Sequence, residues 1–129
     1  MSRTPEEQHR LDLVLEMYRE VLIRMDSSKV EKYLSPHYLQ HSSLAPPGLQ
    51  ALKDFLDMVR ERSPHATQTI KRAFVDGEHV IVHVHVVRFA GDPGLAVVDI
   101  FRVEGDAIVE HWDVLQEVPA KPVNPNPMF

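Results

Sequence analysis

Five ionisable side chains on three consecutive predicted strands are the residues best placed to do chemistry. They are His83, His85, Asp99, His111 and Asp113. Carboxylates and imidazoles in an apolar setting have shifted pKa values and are the usual groups of acid–base catalysis. Because the same residue types also hold metal ions, their relative positions decide between the two chemistries.

Alternation of apolar and polar residues predicts which of these side chains share a sheet face. Apolar residues recur at every second position after residue 66, which predicts strands joined by short turns. These strands span residues 67–75, 79–89, 95–103 and 107–116. If the hairpins fold about the centres of their turns, His85 lies opposite Asp99 and Asp99 lies opposite His111. Asp113 is then a diagonal neighbour of Asp99, and all the ionisable side chains share one face.

Apolar residues frame the ionisable ones on that face. They are Leu95, Val97, Phe101, Val109 and Leu115. One interpretation is a solvated face, which antiparallel sheets often have. The other is the lining of a cavity under helices, and the apolar frame favours it.

The first half of the chain predicts the helices that would cover this face. Thr4 and Glu7 form a capping box ahead of an amphipathic helix that runs to Met25. A short second helix ends at Ser35-Pro36, and a third begins after Gly48 and carries Phe55 on its apolar face. Helices followed by strands predict an α+β fold, with N-terminal helices packed on a curved antiparallel sheet. We expect residues 1–129 to form one domain, with a proline-rich tail at 119–129.

The composition excludes several classes of protein. The absence of cysteine excludes disulfides, thiolate metal sites and a cysteine nucleophile. The net charge is −5 and the basic residues are scattered among acidic neighbours, which argues against a nucleic-acid or anionic-membrane partner. No apolar run approaches the ~20 residues of a membrane helix, and residues 1–10 are polar, so we expect a cytoplasmic protein.

A metal site is the alternative use of the histidines. His83 and His85 lie two residues apart on a strand and would point the same way, with Asp99 or His111 as a third ligand. A cupin metal motif would place a glutamate where Phe89 and Ala90 stand. We therefore predict no metal and no cofactor.

Several motifs, in this order and spacing, resemble the SnoaL-like polyketide cyclase family. They are Tyr38-Leu39-Gln40-His41, the glycine before the third helix, Phe74-Val75-Asp76-Gly77, Val80-Ile81-Val82-His83, Val98-Asp99-Ile100-Phe101-Arg102-Val103-Glu104, Ile108-Val109-Glu110-His111-Trp112-Asp113 and the closing Asn124-Pro125-Asn126-Pro127-Met128-Phe129. The resemblance implies the cystatin-like cone shared with nuclear transport factor 2, usually as a homodimer. It also implies a cofactor-free aldol condensation of a polyketide-like ligand.

The resemblance assigns roles to individual residues. Asp113 of the Trp-Asp motif would be the general acid, and Asp99, fourteen positions earlier, its pKa-setting partner or base. The characterised cyclases often have a histidine in the region of Asp99. From their predicted strand face, His85 and His111 would orient the two carboxyls, and His83 would line the substrate pocket with them.

Other residues would close the pocket or pair two copies of the chain. Tyr38 and His41 would close its mouth, with Phe55 as an apolar wall and Trp112 as wall or dimer interface. We expect a homodimer through the second β-branched face of the sheet. That face would carry Val80, Val82, Val84, Val98 and Ile100. The alternative to an enzyme is a non-catalytic ligand-binding or dimerisation module of the same fold.

Overall fold

Helices occupy the first half of the chain, as the periodicity predicts. The computed structural model describes residues 2–129. Helix α1 (Pro5–Met17) begins with the predicted capping box: the Glu7 N–H donates to the Thr4 hydroxyl at 3.1 Å, and Glu7 Oε1 accepts from the Thr4 N–H at 2.9 Å. One π-helical turn (Tyr18–Leu22) extends α1. A 3₁₀ turn (Ser27–Lys29) leads into the short helix α2 (Val30–Tyr33), and helix α3 spans Leu49–Arg62.

Five strands form one mixed sheet with the order β1-β5-β4-β3-β2. They are β1 (Leu34–Gln40), β2 (Thr67–Asp76), β3 (His79–Val87), β4 (Leu95–Glu104) and β5 (Ala107–Glu117). The last four pair antiparallel in chain order, whereas β1 runs parallel to β5. The predicted α+β class with helices on a curved sheet is confirmed. Strand β1 is not predicted by the sequence pattern, because Pro36 interrupts it and proline is tolerated only at a sheet edge.

The register separates an inner face, which the helices cover, from an outer face. Val80, Val82 and Val84 of β3 are fully buried on the inner face against α1. Val98 and Ile100 of β4 point the other way, because they pair with His83 and Ile81 and alternate with buried neighbours. The predicted dimer surface is therefore wrong in part: its three β3 valines belong to the core.

The register between β3 and β4 differs from the predicted one. Val86 pairs with Leu95, so that Asp99 lies opposite Val82 and His85 lies opposite Ala96. The prediction that His85 faces Asp99 is wrong. Arg88 belongs to the connecting turn and not to the strand, and the resulting three-residue shift is odd, so it moves the β3 histidines to the outer face.

The tail after β5 has no helix or strand among the described residues. Its last side chain, Phe129, packs on the outer face of β3. The Phe129 ring lies 4.2 Å from the His85 ring and 5.5 Å from the His83 ring, between centroids. Within residues 2–129, no helix is long and apolar enough to cross a membrane.

Candidate active site

A cavity of about 430 Å³ lies between the inner face of the sheet and the helices. That volume is within the range of small-molecule sites. Most of its wall is apolar, including Met17, Leu22, Leu34, Leu52, Leu56, Val97 and Phe101. The polar side chains that matter for chemistry are Tyr18, Gln40, Ser42, Asp99, His111 and Asp113.

The pairing of β4 with β5 brings the ionisable groups together. Asp99 lies directly opposite Asp113, and Phe101 lies opposite His111. This register differs from the predicted one by two residues, and an even shift keeps all three ionisable side chains on the inner face. Strand β1 then adds Gln40, which pairs with His111.

A continuous chain of hydrogen bonds links four of these side chains. The Tyr18 hydroxyl donates to Oδ2 of Asp99, which is 6 % exposed. Oδ1 of Asp99 lies 2.8 Å from Nε2 of His111, and Nδ1 of His111 lies 2.7 Å from Oε1 of Gln40. The chain therefore runs from helix α1 through β4 and β5 to β1.

The hydrogen bonds of Gln40 determine where the His111 protons sit. The Ser42 N–H donates to Oε1 of Gln40 at 3.1 Å, while Nε2 of Gln40 donates to the Tyr38 hydroxyl at 3.2 Å. The atom that faces His111 is therefore an acceptor, so Nδ1 of His111 must carry a proton. One further proton is shared across the bond between Nε2 of His111 and Asp99.

Asp113 has different surroundings from Asp99. Its Oδ2 accepts from the Ser42 hydroxyl at 2.9 Å, and its Oδ1 is buried without a hydrogen-bond partner among residues 2–129. Burial raises the pKa of Asp113 and the nearby Asp99 carboxylate adds to the rise, whereas the Ser42 hydrogen bond and His111 oppose it. The Asp113 carboxyl is thus shifted toward its protonated form.

Tyr18 is held in its neutral form. Burial raises the pKa of its phenol well above the usual value of 10.0, and the neighbouring Asp99 charge raises it further. A neutral phenol is a hydrogen-bond donor toward a carboxylate. Tyr18 therefore remains a hydrogen-bond donor to Asp99 across the neutral pH range.

Five of the predicted site residues line the cavity: Tyr38, Phe55, Asp99, His111 and Asp113. The remaining four do not, and they lie on or beside the outer face. His83 and His85 are there because of the β3–β4 register. Trp112 alternates away from Asp113 and stacks on His41, with the two ring centroids 4.9 Å apart.

Three cavity residues that hydrogen bond to the ionisable groups were not predicted as site residues. Tyr18 lies within the predicted amphipathic helix that runs to Met25, and its hydroxyl is a polar group on the buried face of that helix. Gln40 and Ser42 lie in or after β1, which was not predicted as a strand. Alternation from Tyr38 would have placed Gln40 on the same face, had that strand been recognised.

Asp99, His111 and Asp113 could also hold a metal ion, because one ligand atom from each lies within 4.8 Å of the others. In this structure, Nε2 of His111 and Oδ1 of Asp99 are hydrogen bonded to each other. A cation would have to displace the proton that they share.

A SnoaL-like domain model matches residues 14–111. The chain belongs to the SnoaL-like domain family. The family resemblance predicted from the sequence motifs is therefore confirmed. No curated protein matches the chain at a significant level.

Solved structures of other proteins share this fold. A protein of Jannaschia sp. CCS1 named as a SnoaL-like polyketide cyclase has a TM-score of 0.74 at 17% identity, over 89% of this chain and 90% of that chain. A Bacillus cereus ATCC 10987 protein named as a polyketide cyclase has a TM-score of 0.75 at 17% identity, over 88% and 78% of the two chains. An NTF2-like protein of unknown function from Cytophaga hutchinsonii ATCC 33406 has a TM-score of 0.68 at 15% identity, over 83% and 89%. At these identities the likeness concerns the fold alone.

Proposed function

We propose that this protein is a cofactor-free enzyme that takes a small apolar ligand through a cyclase- or isomerase-type reaction by acid–base chemistry. The observation that carries the proposal is the direct pairing of two cavity-lining carboxyls, Asp99 and Asp113, in unlike surroundings. Surroundings that separate the protonation of two neighbouring carboxyls supply an acid and a base in one site.

Asp113 is the acid in this proposal. Its pKa is raised by burial, and its unpartnered Oδ1 leaves it with unused hydrogen-bonding capacity. The Ser42 hydroxyl holds its other oxygen. A protonated carboxyl in this position donates to a carbonyl oxygen of the ligand.

Asp99 is the base, supported on both sides. Tyr18 donates to one of its oxygens and His111 faces the other. When Asp99 accepts a further proton, the pair becomes an imidazolium beside a neutral carboxyl, and the Asp113 carboxylate formed in the same step is its counter-charge. Gln40 keeps the His111 ring in the orientation that this exchange requires.

The chemical step is an enolisation. Asp99 removes a proton from the carbon beside the carbonyl, and the electron pair of that C–H bond forms the carbon–carbon double bond. The carbonyl π pair takes the proton of Asp113, so the products are an enol, protonated Asp99 and ionised Asp113. In a cyclase, the enol carbon then attacks a second carbonyl of the same ligand. In an isomerase, it is reprotonated at another carbon.

The test is proton exchange in a neutral ketone, 2-tetralone, dissolved in D₂O and followed by proton NMR. The wild-type protein is expected to accelerate loss of the α-proton signals. Asp113→Asn keeps the shape but lacks the transferable proton, so the acceleration should fall by about 10²–10⁴-fold. Binding of 2-tetralone, followed by protein chemical shifts, should change little.

His83→Gln is the matched control, because it alters a hydrogen-bonding side chain on the outer face, away from the cavity. Its exchange rate should equal that of the wild type. If the wild type binds 2-tetralone but does not accelerate proton exchange, the proposed enzymatic activity is wrong, and a non-catalytic binding module is favoured.

A further inference from the structure

One guanidinium stands in the wall of the cavity. Arg88 lines both the cavity and an adjoining open groove, and Asp113 lines both as well. Among residues 2–129, no other lysine or arginine lines either space. Arg88 is therefore the permanent cation that an anionic ligand would meet next to the proposed acid.

Arg88 is already paired with two carboxylates of the chain itself. Its Nε and one terminal nitrogen donate to the two oxygens of Asp92, at 2.8 and 3.0 Å. The other terminal nitrogen donates to Glu117 at 2.9 Å. A bidentate arginine–carboxylate pair is among the strongest of such contacts, and two carboxylates around one guanidinium leave the cluster with a net negative charge.

The turn between β3 and β4 holds this cluster in place. Asp92 also accepts from the backbone N–H groups of Arg88 and Gly94, both at 3.0 Å, and its side chain is only 2% exposed. The hydrogen bond from the Arg88 guanidinium holds the pKa of Asp92 well below its usual range. Asp92 thus remains charged, and Arg88 remains neutralised, throughout the ordinary pH range.

A carboxylate ligand would find no uncompensated lysine or arginine among the described side chains that line this cavity. It would move from water into a mostly apolar cavity, and burying an ionised group there without a counter-charge costs free energy. It would also lie near the Arg88–Asp92–Glu117 cluster, whose net negative charge repels it. A ketone or an ester loses much less solvation free energy on entering the same cavity, and its carbonyl oxygen can accept a hydrogen bond from Asp113.

We propose that the Arg88–Asp92–Glu117 cluster makes the cavity select uncharged carbonyl compounds, such as ketones and esters, and reject the corresponding carboxylates. This inference rests on the proposed function, because it names the substrate class of the same site. Arg88 determines specificity because Asp92 and Glu117 neutralise its charge. Without these two partners, its guanidinium would attract the anions that the site now rejects.

The test compares two ligands of nearly the same shape, methyl 2-naphthoate and 2-naphthoate, by NMR titration at neutral pH. The wild type is expected to bind the ester at least ~10-fold more tightly than the acid. In Asp92→Asn, the guanidinium is freed from its main partner, so the ester-to-acid ratio of affinities should fall by about 10-fold while ester binding stays nearly constant.

Asp106→Asn is the matched control, because it removes the same charge from a side chain that is 89% exposed and, within residues 2–129, pairs with His9 alone. The ester-to-acid ratio of affinities in this variant should equal that of the wild type. Since Asp92 also holds the turn, Glu117→Gln provides a second variant, altering a side chain that is 74% exposed, and it should lower the ratio by a smaller factor.

Equal affinities for ester and acid in the wild type would overturn the inference, and so would a ratio that Asp92→Asn and Glu117→Gln leave unchanged. Binding of neither ligand would overturn it too. All of these outcomes are measured as equilibrium affinities. The proposed function fails in a different measurement, the rate of proton exchange in 2-tetralone, so the two failures can be told apart.

Discussion

The Tyr18 hydroxyl donates a hydrogen bond to the buried carboxylate of Asp99. Comparing Tyr18 with a second buried tyrosine, Tyr33, measures how much this hydrogen bond contributes to the free energy of unfolding. Tyr18→Phe leaves Oδ2 of Asp99 without its donor in the interior, so the free energy of unfolding should fall by about 1–3 kcal/mol. Tyr33 is equally buried, at 2% exposed, but its hydroxyl donates to Glu16, whose side chain is half exposed. Tyr33→Phe should cost less than about 1 kcal/mol, since water replaces the lost donor. Urea denaturation measures both values, and equal losses would contradict the role given to Asp99.

The protonation of Asp113 couples the stability of the fold to pH. Because its pKa is raised in the folded state, the folded protein binds the proton more tightly than the unfolded chain. The resulting stabilisation is complete below the ordinary value of 3.8 and is lost as the pH rises through the folded-state pKa. Subtracting the free energy of unfolding of Asp113→Asn from that of the wild type should therefore give a difference that falls with pH over this interval. Urea denaturation between acid and neutral pH measures it, and a difference that rises with pH would show a lowered pKa instead.

The turn between β3 and β4 leads into the register that places the β3 histidines on the outer face, and Gly94 is its most crowded glycine. Gly94 has φ +97°, and a Cβ there would overlap the backbone oxygen of Val86 and lie 2.6 Å from Nε2 of His85. Gly94→Ala should therefore destabilise the fold by about 2–5 kcal/mol, from backbone strain and overpacking together.

Gly91 in the same turn is the matched control for this substitution. It has φ +84°, but no atom lies within 4 Å of an added Cβ. Gly91→Ala should show the strain alone, about 1–2 kcal/mol. Thermal unfolding of both variants gives the comparison, and equal losses would mean that the crowding at Gly94 relaxes without cost.

The same element shows why a register is hard to predict from sequence. The strand pattern continues without a break through Arg88 and Phe89, so alternation alone extends β3 to residue 89. In the folded chain, Asp92 binds the side chain and the backbone of Arg88 and draws that residue into the turn. A local ion pair thereby overrides the periodicity, and the odd shift moves two histidines out of the predicted site.

At the scale of the whole molecule, the homodimer remains a prediction, now placed on the outer face alone. Val114 is 68% exposed there, and Ile81, Val98 and Ile100 are half-buried neighbours on the same face. A second copy of the chain would cover this apolar surface. Val114→Glu should convert a dimer into a monomer at micromolar concentration without unfolding it, as measured by light scattering and circular dichroism.

Met58→Glu provides the control for that experiment. Met58 lies on helix α3, away from the sheet, and is 38% exposed. The variant should remain dimeric. A wild-type protein that is monomeric at micromolar concentration would contradict the predicted dimer.

The sequence by itself determined those features that depend on neighbours along the chain. The capping box at Thr4, the helical periodicity, the change to a period of two and the turn residues are all local, and they were sufficient for the α+β class. The ordered motifs were sufficient for the family. Asp99, His111 and Asp113 were predicted to share a face, and they do, because an even shift in register preserves the face.

Only the tertiary structure decided which other groups complete the site. Tyr18 reaches Asp99 across 81 positions of sequence, and Ser42 reaches Asp113 across 71. Gln40 contacts His111 because β1 lies parallel to β5 at the sheet edge. No short turn joins these two strands, so the local sequence does not indicate that they pair. Each of these contacts depends on how helices and strands pack and on the exact register between strands. Long-range packing of this kind leaves no periodic pattern in the residues that it brings together.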